Sequence, residues 1–185
     1  MAHVKASDLV ILRRLLEEHG DAKARVLSAL DGESARLLQT TSATAWVPLA
    51  TEAAVFQASA SALYPGDDRG LVRLGREVAR RQFTGMYKVF LNVATVAFIV
   101  KRAGTIFRTF YDAGDSRIED FHDEAGTLVV TGLPDLHEAQ RAYIEGFLTG
   151  LVELAGAKDV AVRRGPDAAG EWRWRVTWRR EGGKT

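Results

Sequence analysis

Four histidines, His3, His19, His122 and His137, and 24 acidic residues are the side chains from which this 185-residue, cysteine-free chain could assemble a catalytic or metal site. No two histidines lie three or four residues apart, so no helix face offers a histidine pair to a metal ion. His122-Asp123-Glu124, with Asp112, Asp115, Glu119 and Asp120 nearby in the chain, concentrates oxygen ligands of the kind a hard cation takes. Their spacing lacks the alternating acids and central glycine of a calcium loop, which favours a solvated acidic turn. There is no Gly-x-Ser-x-Gly elbow, phosphate loop or Gly-x-Gly-x-x-Gly fingerprint. A triad assembled only in space has no linear signature and stays open. The lack of cysteine removes disulfides, zinc thiolates, iron–sulfur clusters and a thiol nucleophile, and fits a reducing compartment. These residues point to a protein that is not an enzyme and holds neither metal nor cofactor.

Binding is better represented. Tyr87, Phe90, Phe98, Phe107 and Tyr111 crowd a glycine-flanked apolar stretch that also carries Lys88 and Arg108. Aromatics in such a place suit the body of an apolar or amphipathic small molecule, with Arg108 or Lys88 pairing with a carboxylate head. The competing reading is a filled core, because buried aromatics most often serve packing. In the last predicted strand Trp172, Trp174, Val176 and Trp178 alternate with Arg173, Arg175, Thr177 and Arg179, which sends tryptophans to one face and guanidinium groups to the other. Nucleic-acid-binding sheets place aromatics and basic groups on the same exposed face, so this segregation makes nucleic acid unlikely and predicts buried tryptophans with exposed arginines.

The elements that position these residues follow from periodicity and breakers. Leu9, Leu12, Leu15 and Leu16 mark a first helix capped by Ser7 or Asp8; Asp21 opens a second, with Val26, Leu27 and Leu30, and a short third carries Leu37 and Leu38. The polar run 39–44 reads as a hinge, dividing a helical arm, 1–43, from a body, 44–185, although the two are expected to fold as one unit because the arm alone is too small for a core. Thr44 caps a helix over 46–63 with Pro48 in its first turn. A helix over 71–83 follows, then an apolar one over about 89–103 that Gly104 ends or bends. This apolar run is too short for the roughly 20 residues of a membrane span. The period then changes to two: a hairpin of 116–121 and 127–131, a helix over 136–155 capped by Asp135, and a second hairpin of 160–163 and 171–179. The class is α+β: a helical arm, central helices, and an antiparallel sheet of two hairpins flanking a long helix. The acidic first hairpin and basic last hairpin are expected to meet, either within one chain or between two. Gly146-x-x-x-Gly150 allows another element to approach the backbone of the long helix closely.

Leu63-Tyr64-Pro65-Gly66, Leu74-Gly75-Arg76-Glu77, Gly85-Met86-Tyr87-Lys88-Val89-Phe90 and Tyr111-Asp112-Ala113-Gly114, with His19-Gly20 and Trp46-Val47-Pro48-Leu49, resemble an uncharacterised bacterial family abundant in myxobacteria. The tail, a helix with Gly146 and Gly156 and a hairpin ending Arg175-Val176-Thr177-Trp178, is similar to the vinyl-reductase-like (V4R) domain. That domain shares a fold with haem nitric-oxide-binding domains and Bet3-type trafficking subunits. The resemblance implies a small-molecule or acyl-chain pocket, or a dimerising adaptor, in signalling. It does not carry its cofactors over: the zinc-holding cysteines of V4R sensors are missing, and no Tyr-x-Ser-x-Arg accompanies a histidine as haem-binding relatives require.

The expected protein is a cytoplasmic, non-enzymatic domain that binds a small molecule and passes its state to a protein partner. The alternative is a dimeric protein–protein adaptor with a filled core. A homodimer is expected in either case, because the relatives often pair and the amphipathic arm needs an apolar surface. Twenty-five basic against 24 acidic residues give no global field for nucleic acid or an anionic membrane.

Overall fold

The computed structural model describes residues 1–84, 95–166 and 170–179. A short strand β1 (His3–Lys5) leads into α1 (Ser7–Glu17), α2 (Ala22–Ala29) and α3 (Gly32–Thr40). Asp31 caps α3, its carboxylate accepting from the backbone of Glu33 and Ser34 at 3.0 and 2.9 Å. The chain then forms β2 (Trp46–Pro48), which pairs antiparallel with β1. The helix anticipated from Trp46 therefore starts later, as α4 (Leu49–Leu63), with Pro48 in the cap position and Thr44 outside it. Pairing with β1, more than forty residues away, holds Val47 in extended backbone that local propensity does not reveal.

The arm contributes side chains to the main core. Leu9, Leu12, Leu15 and Leu16 of α1 are at most 2% exposed within the single chain, and one core joins them to Phe56, Leu74, Tyr143 and Trp174. The arm's apolar faces are thus covered in cis, which removes the argument that they need a second subunit. The hinge expected over 39–44 is shorter, since α3 continues through Thr40 and an arginine of α1, Arg13, donates to the carbonyl of Gln39 at 2.7 Å.

Helix α5 (Gly70–Thr84) lies against α8 (Glu138–Leu154), and no residue of α8 from Ala139 onward is exposed. Glycines set the closeness of this pair. A Cβ on Gly75 would overlap the Tyr143 carbonyl oxygen, one on Gly146 would overlap that of Val72, and one on Gly150 would stand 2.8 Å from that of Arg76. Arg76 and Arg80 tie the far ends of the pair to Glu153, at 2.6 and 3.3 Å. The cap of α8 is His137, not Asp135: its Nδ1 accepts from the backbone of Ala139 while Gln140 Oε1 accepts from the backbone of His137.

Between these helices come α6 (Val96–Lys101) and α7 (Ala103–Phe110). The break falls at Arg102, and α7 passes through Gly104, which was expected to end or bend the helix. That glycine instead allows close approach, because a Cβ there would stand 2.9 Å from the Ser116 carbonyl.

The sheet contains β3 (Asp115–His122), β4 (Ala125–Thr131), β5 (Lys158–Arg164) and β6 (Glu171–Arg179), all antiparallel in the order β3-β4-β6-β5. Two hairpins stand side by side, and the inner strands β4 and β6 join them. Ala125 and Gly126, expected in the turn, belong to β4. Trp174 and Trp178 are buried against the helices and Trp172 half-buried, while Arg175 and Arg179 are exposed as alternation requires. Arg173 is half-buried because it pairs with Glu119 and Glu171. Arg117 reaches the same two carboxylates at 2.7 and 3.0 Å, so the acidic and basic hairpins meet within one chain.

Candidate functional site

The sequence-derived site divides. Tyr87, Lys88 and Phe90 lie outside the described residues. Phe98 is 39% exposed on α6, and the Arg102 guanidinium sits 4.7 Å from its ring centre. Arg108 points to solvent from α7 and meets Asp115 at 3.1 Å, so it already has a carboxylate partner. Phe107 and Tyr111 do come together: their rings stack with centroids 4.4 Å apart and pack against the main core. Apolar as α6 and α7 are, none of their side chains is buried.

Behind the Phe107–Tyr111 pair lies a polar cluster that the linear pattern does not announce. Glu52 is 2% exposed near the start of α4. Gln140 Nε2 donates to its Oε2 at 2.7 Å and to the Leu49 carbonyl at 3.2 Å. The amide cannot be turned round, because its oxygen must accept from the His137 backbone. Glu52 Oε2 is therefore an acceptor, and any proton on this carboxyl sits on Oε1. Burial pushes the Glu52 carboxyl up to about 8, the charge of Asp8 adds to this, and the Gln140 hydrogen bond partly offsets it.

Asp8, on α1, accepts from the Tyr143 hydroxyl at 2.8 Å. The residue keeps some exposed surface, but its carboxyl group is enclosed, and burial raises it to about 6 against the hydrogen bonds from Tyr143 and Ser7. Burial, first, and these two acids hold the Tyr111 phenol well above its ordinary value. Tyr143 is raised by burial and by Asp8, and its ring stacks on Phe56 at 3.8 Å. The cluster joins α1, α4, α8 and the segment after α7, and among the described residues no arginine or lysine is hydrogen-bonded to either buried acid. A sequence signal existed: Glu52 is the sole charged residue in α4.

Two surface clefts lie elsewhere. One of about 290 Å³ has Leu49, Asp112 and Leu133 in its wall, and one of about 510 Å³ runs between α2 and α4 past Leu30 and Ala58. Neither is lined by Phe98, Phe107, Arg108 or Tyr111. Among the described residues no group of three or more His, Cys, Asp or Glu could hold a metal ion, and no helix is long and apolar enough to cross a membrane.

The profile of a family described as "Protein of unknown function (DUF2378)" matches residues 8–179. The chain belongs to that family. No curated protein matches the sequence. Among solved structures, this DUF2378 protein is similar to a mutant of the unliganded Fe(II) H-NOX protein from K. algicida, with TM-score 0.67 and 8% identity over 96% of this chain and 97% of that one. It is also similar to an oxygen-binding H-NOX domain related to soluble guanylate cyclases, with TM-score 0.63 and 12% identity over 97% of each chain. A mutant of the T. tengcongensis H-NOX gives TM-score 0.62 at 9% identity, covering 91% of this chain and 93% of that one. At such identities the likeness establishes an H-NOX-like α+β fold.

The H-NOX family is described with a haem, and the residues of the DUF2378 protein do not fit a histidine-ligated one. All four histidines lie within the described residues, and none is buried. His3 binds Asp112 at 2.9 Å, His19 the Leu15 carbonyl at 2.7 Å, His137 caps α8, and His122 closes the β3–β4 hairpin. The space between helices and sheet is filled by Phe56, Leu74, Leu133, Tyr143 and Trp174, each at most 3% exposed.

Proposed function

We propose that the DUF2378 protein is a non-enzymatic sensory domain that binds an apolar or amphipathic small molecule, without histidine-ligated haem, and passes its state to a protein partner. The observation that carries this reading is the pair α6–α7, whose apolar residues bury no side chain yet flank the stacked Phe107 and Tyr111. Apolar surface of this kind gains roughly 25 cal/mol per Å² when covered, and a ligand body lying along Phe98 and Phe107 would cover it. The H-NOX-like fold supports a sensory role by analogy of architecture alone. Because Arg108 already meets Asp115, a carboxylate head would have to compete with that pair.

A route from this face to the N-terminus exists. Tyr111 bridges to Val4 of β1, the next residue, Asp112, accepts from the His3 backbone at 2.7 Å, and the Tyr111 phenol senses the charges of Asp8 and Glu52. A shift of the Phe107–Tyr111 stack on binding would therefore move β1 and the acids behind it. A partner reading the β1–β2 ribbon would respond.

Phe98→Ala tests the site. Its half-exposed ring makes the stability loss smaller than the roughly 3–5 kcal/mol of a fully buried phenylalanine, and the expected result is a fold stable within about 1 kcal/mol of the wild type. Retention of a copurified molecule, read by native mass spectrometry, is expected to fall. Unchanged retention in this variant would count against the site, and a wild type that carries nothing would count against the ligand.

A further inference from the structure

The face of the sheet turned away from the helices carries a sorted set of charges. Arg117 and Arg173 each bridge Glu119 and Glu171, which closes a neutral ring around Val129, the residue opposite both arginines in register. Val129 is 0% exposed although it points away from the helices, so the arginine stems cover it. Arg179 pairs with Asp159 at 2.7 Å, and on the other face Arg164 pairs with Glu138. Two arginines of the sheet remain. Arg163 and Arg175 are directly opposite each other on β5 and β6, both exposed, and no described carboxylate pairs with either. Among the described residues Arg175 makes one long side-chain contact, to the Thr127 hydroxyl at 3.4 Å.

Like charges directly opposite on neighbouring strands repel, and every other arginine of this sheet has a carboxylate. The unfavourable arrangement is confined to one in-register pair, beside a shelf of small side chains formed by Ala161, Thr177 and Thr127. Two guanidinium forks carried on directly opposed residues of one sheet face match an oxyanion bearing several charged oxygens, which can accept from both at once. We infer that Arg163 and Arg175 form a phosphate-binding site on the outer face of the sheet, taking either a free phosphate or a phosphorylated side chain of a partner. Nucleic acid fits poorly, because the neighbouring arginines are already neutralised and a backbone needs a longer track of cations. This site is on a different face from the α6–α7 ligand region and stands whether or not that region binds a small molecule.

The test is thermal unfolding of the full chain in tens of millimolar inorganic phosphate against chloride and acetate at matched pH and ionic strength. Phosphate is expected to raise Tm by about 2–4 °C, and Arg163→Gln and Arg175→Gln are each expected to abolish that increment. In phosphate-free, low-salt buffer the same variants are expected to be slightly more stable than the wild type, because the repulsion is gone. Arg179→Gln, which breaks the pair with Asp159, is expected to keep the phosphate response. A phosphoserine peptide that acts at lower concentration than inorganic phosphate would identify a partner's side chain as the source, and equal potency would identify the free ion. Equal shifts with phosphate, acetate and chloride, or a phosphate increment that survives both glutamine variants, would overturn the proposal.

Discussion

Gly146→Ala is expected to destabilise the protein by about 3 kcal/mol, at the upper end of the range for overpacked cores. Glycine to alanine inside a helix ordinarily gains close to 1 kcal/mol in propensity, so the sign here is set by space. The added methyl would overlap the Val72 carbonyl oxygen and come within 3.0 Å of the Arg76 backbone nitrogen. Neither atom can move by a side-chain rotation, so α5 and α8 must separate along their length. Gly75→Ala meets the Tyr143 carbonyl and the Phe147 nitrogen in the same manner and is expected to behave alike. Gly32→Ala is the control, because nothing lies within 4 Å of that Cβ, and its stability is expected to stay near the wild type. Urea unfolding decides the matter: a Gly146→Ala midpoint equal to that of Gly32→Ala would contradict the helix packing.

The second large effect concerns pH. Glu52 binds its proton more tightly folded, at about 8, than unfolded, at 4.5. Between those values the native state carries a proton that the unfolded state has lost, so stability falls as pH rises and the decline ends near 8. Asp8 adds a contribution of the same sign between 3.8 and about 6. Carboxylates lowered by arginine, lysine or backbone partners, such as Glu119 and Asp31, act oppositely, but only as the pH drops into the acid range. Glu52→Gln keeps an oxygen for Gln140 and removes the titration. At pH 5 its stability is expected to be close to that of the wild type, and at pH 8–9 to exceed it by a few kcal/mol. Parallel stability curves for the two proteins from pH 5 to 9 would contradict a buried, proton-binding Glu52.

How much of this was legible depended on how local the cause was. Strand β6 and its sorted faces follow from strict alternation, and the enclosure of α8 follows from its nearly continuous apolar circumference. Residues 46–48 read as helix because their strand is imposed by β1, from the other end of the arm. The start of α8 was misplaced because histidine is a weaker cap signal than aspartate, and it was Gln140, three residues on, that completed the capping box. Of the site, the Phe107–Tyr111 pair was visible as two aromatics one helical turn apart. Asp8, Glu52 and Gln140 come from three distant segments, and only the lone charge in α4 hinted that a buried polar partner awaited it. Sequence could place Phe98 on an apolar helix but could not show that its face lay open.

The proposed function places a small molecule other than histidine-ligated haem beside α6 and α7 of an H-NOX-like fold. Native mass spectrometry of the freshly purified wild type tests it most directly, since it weighs chain and retained molecule together. The expected spectrum shows the chain with an organic adduct whose mass is not that of haem, released on collisional activation. A chain that appears bare in every preparation, or one that carries stoichiometric haem, would contradict the account.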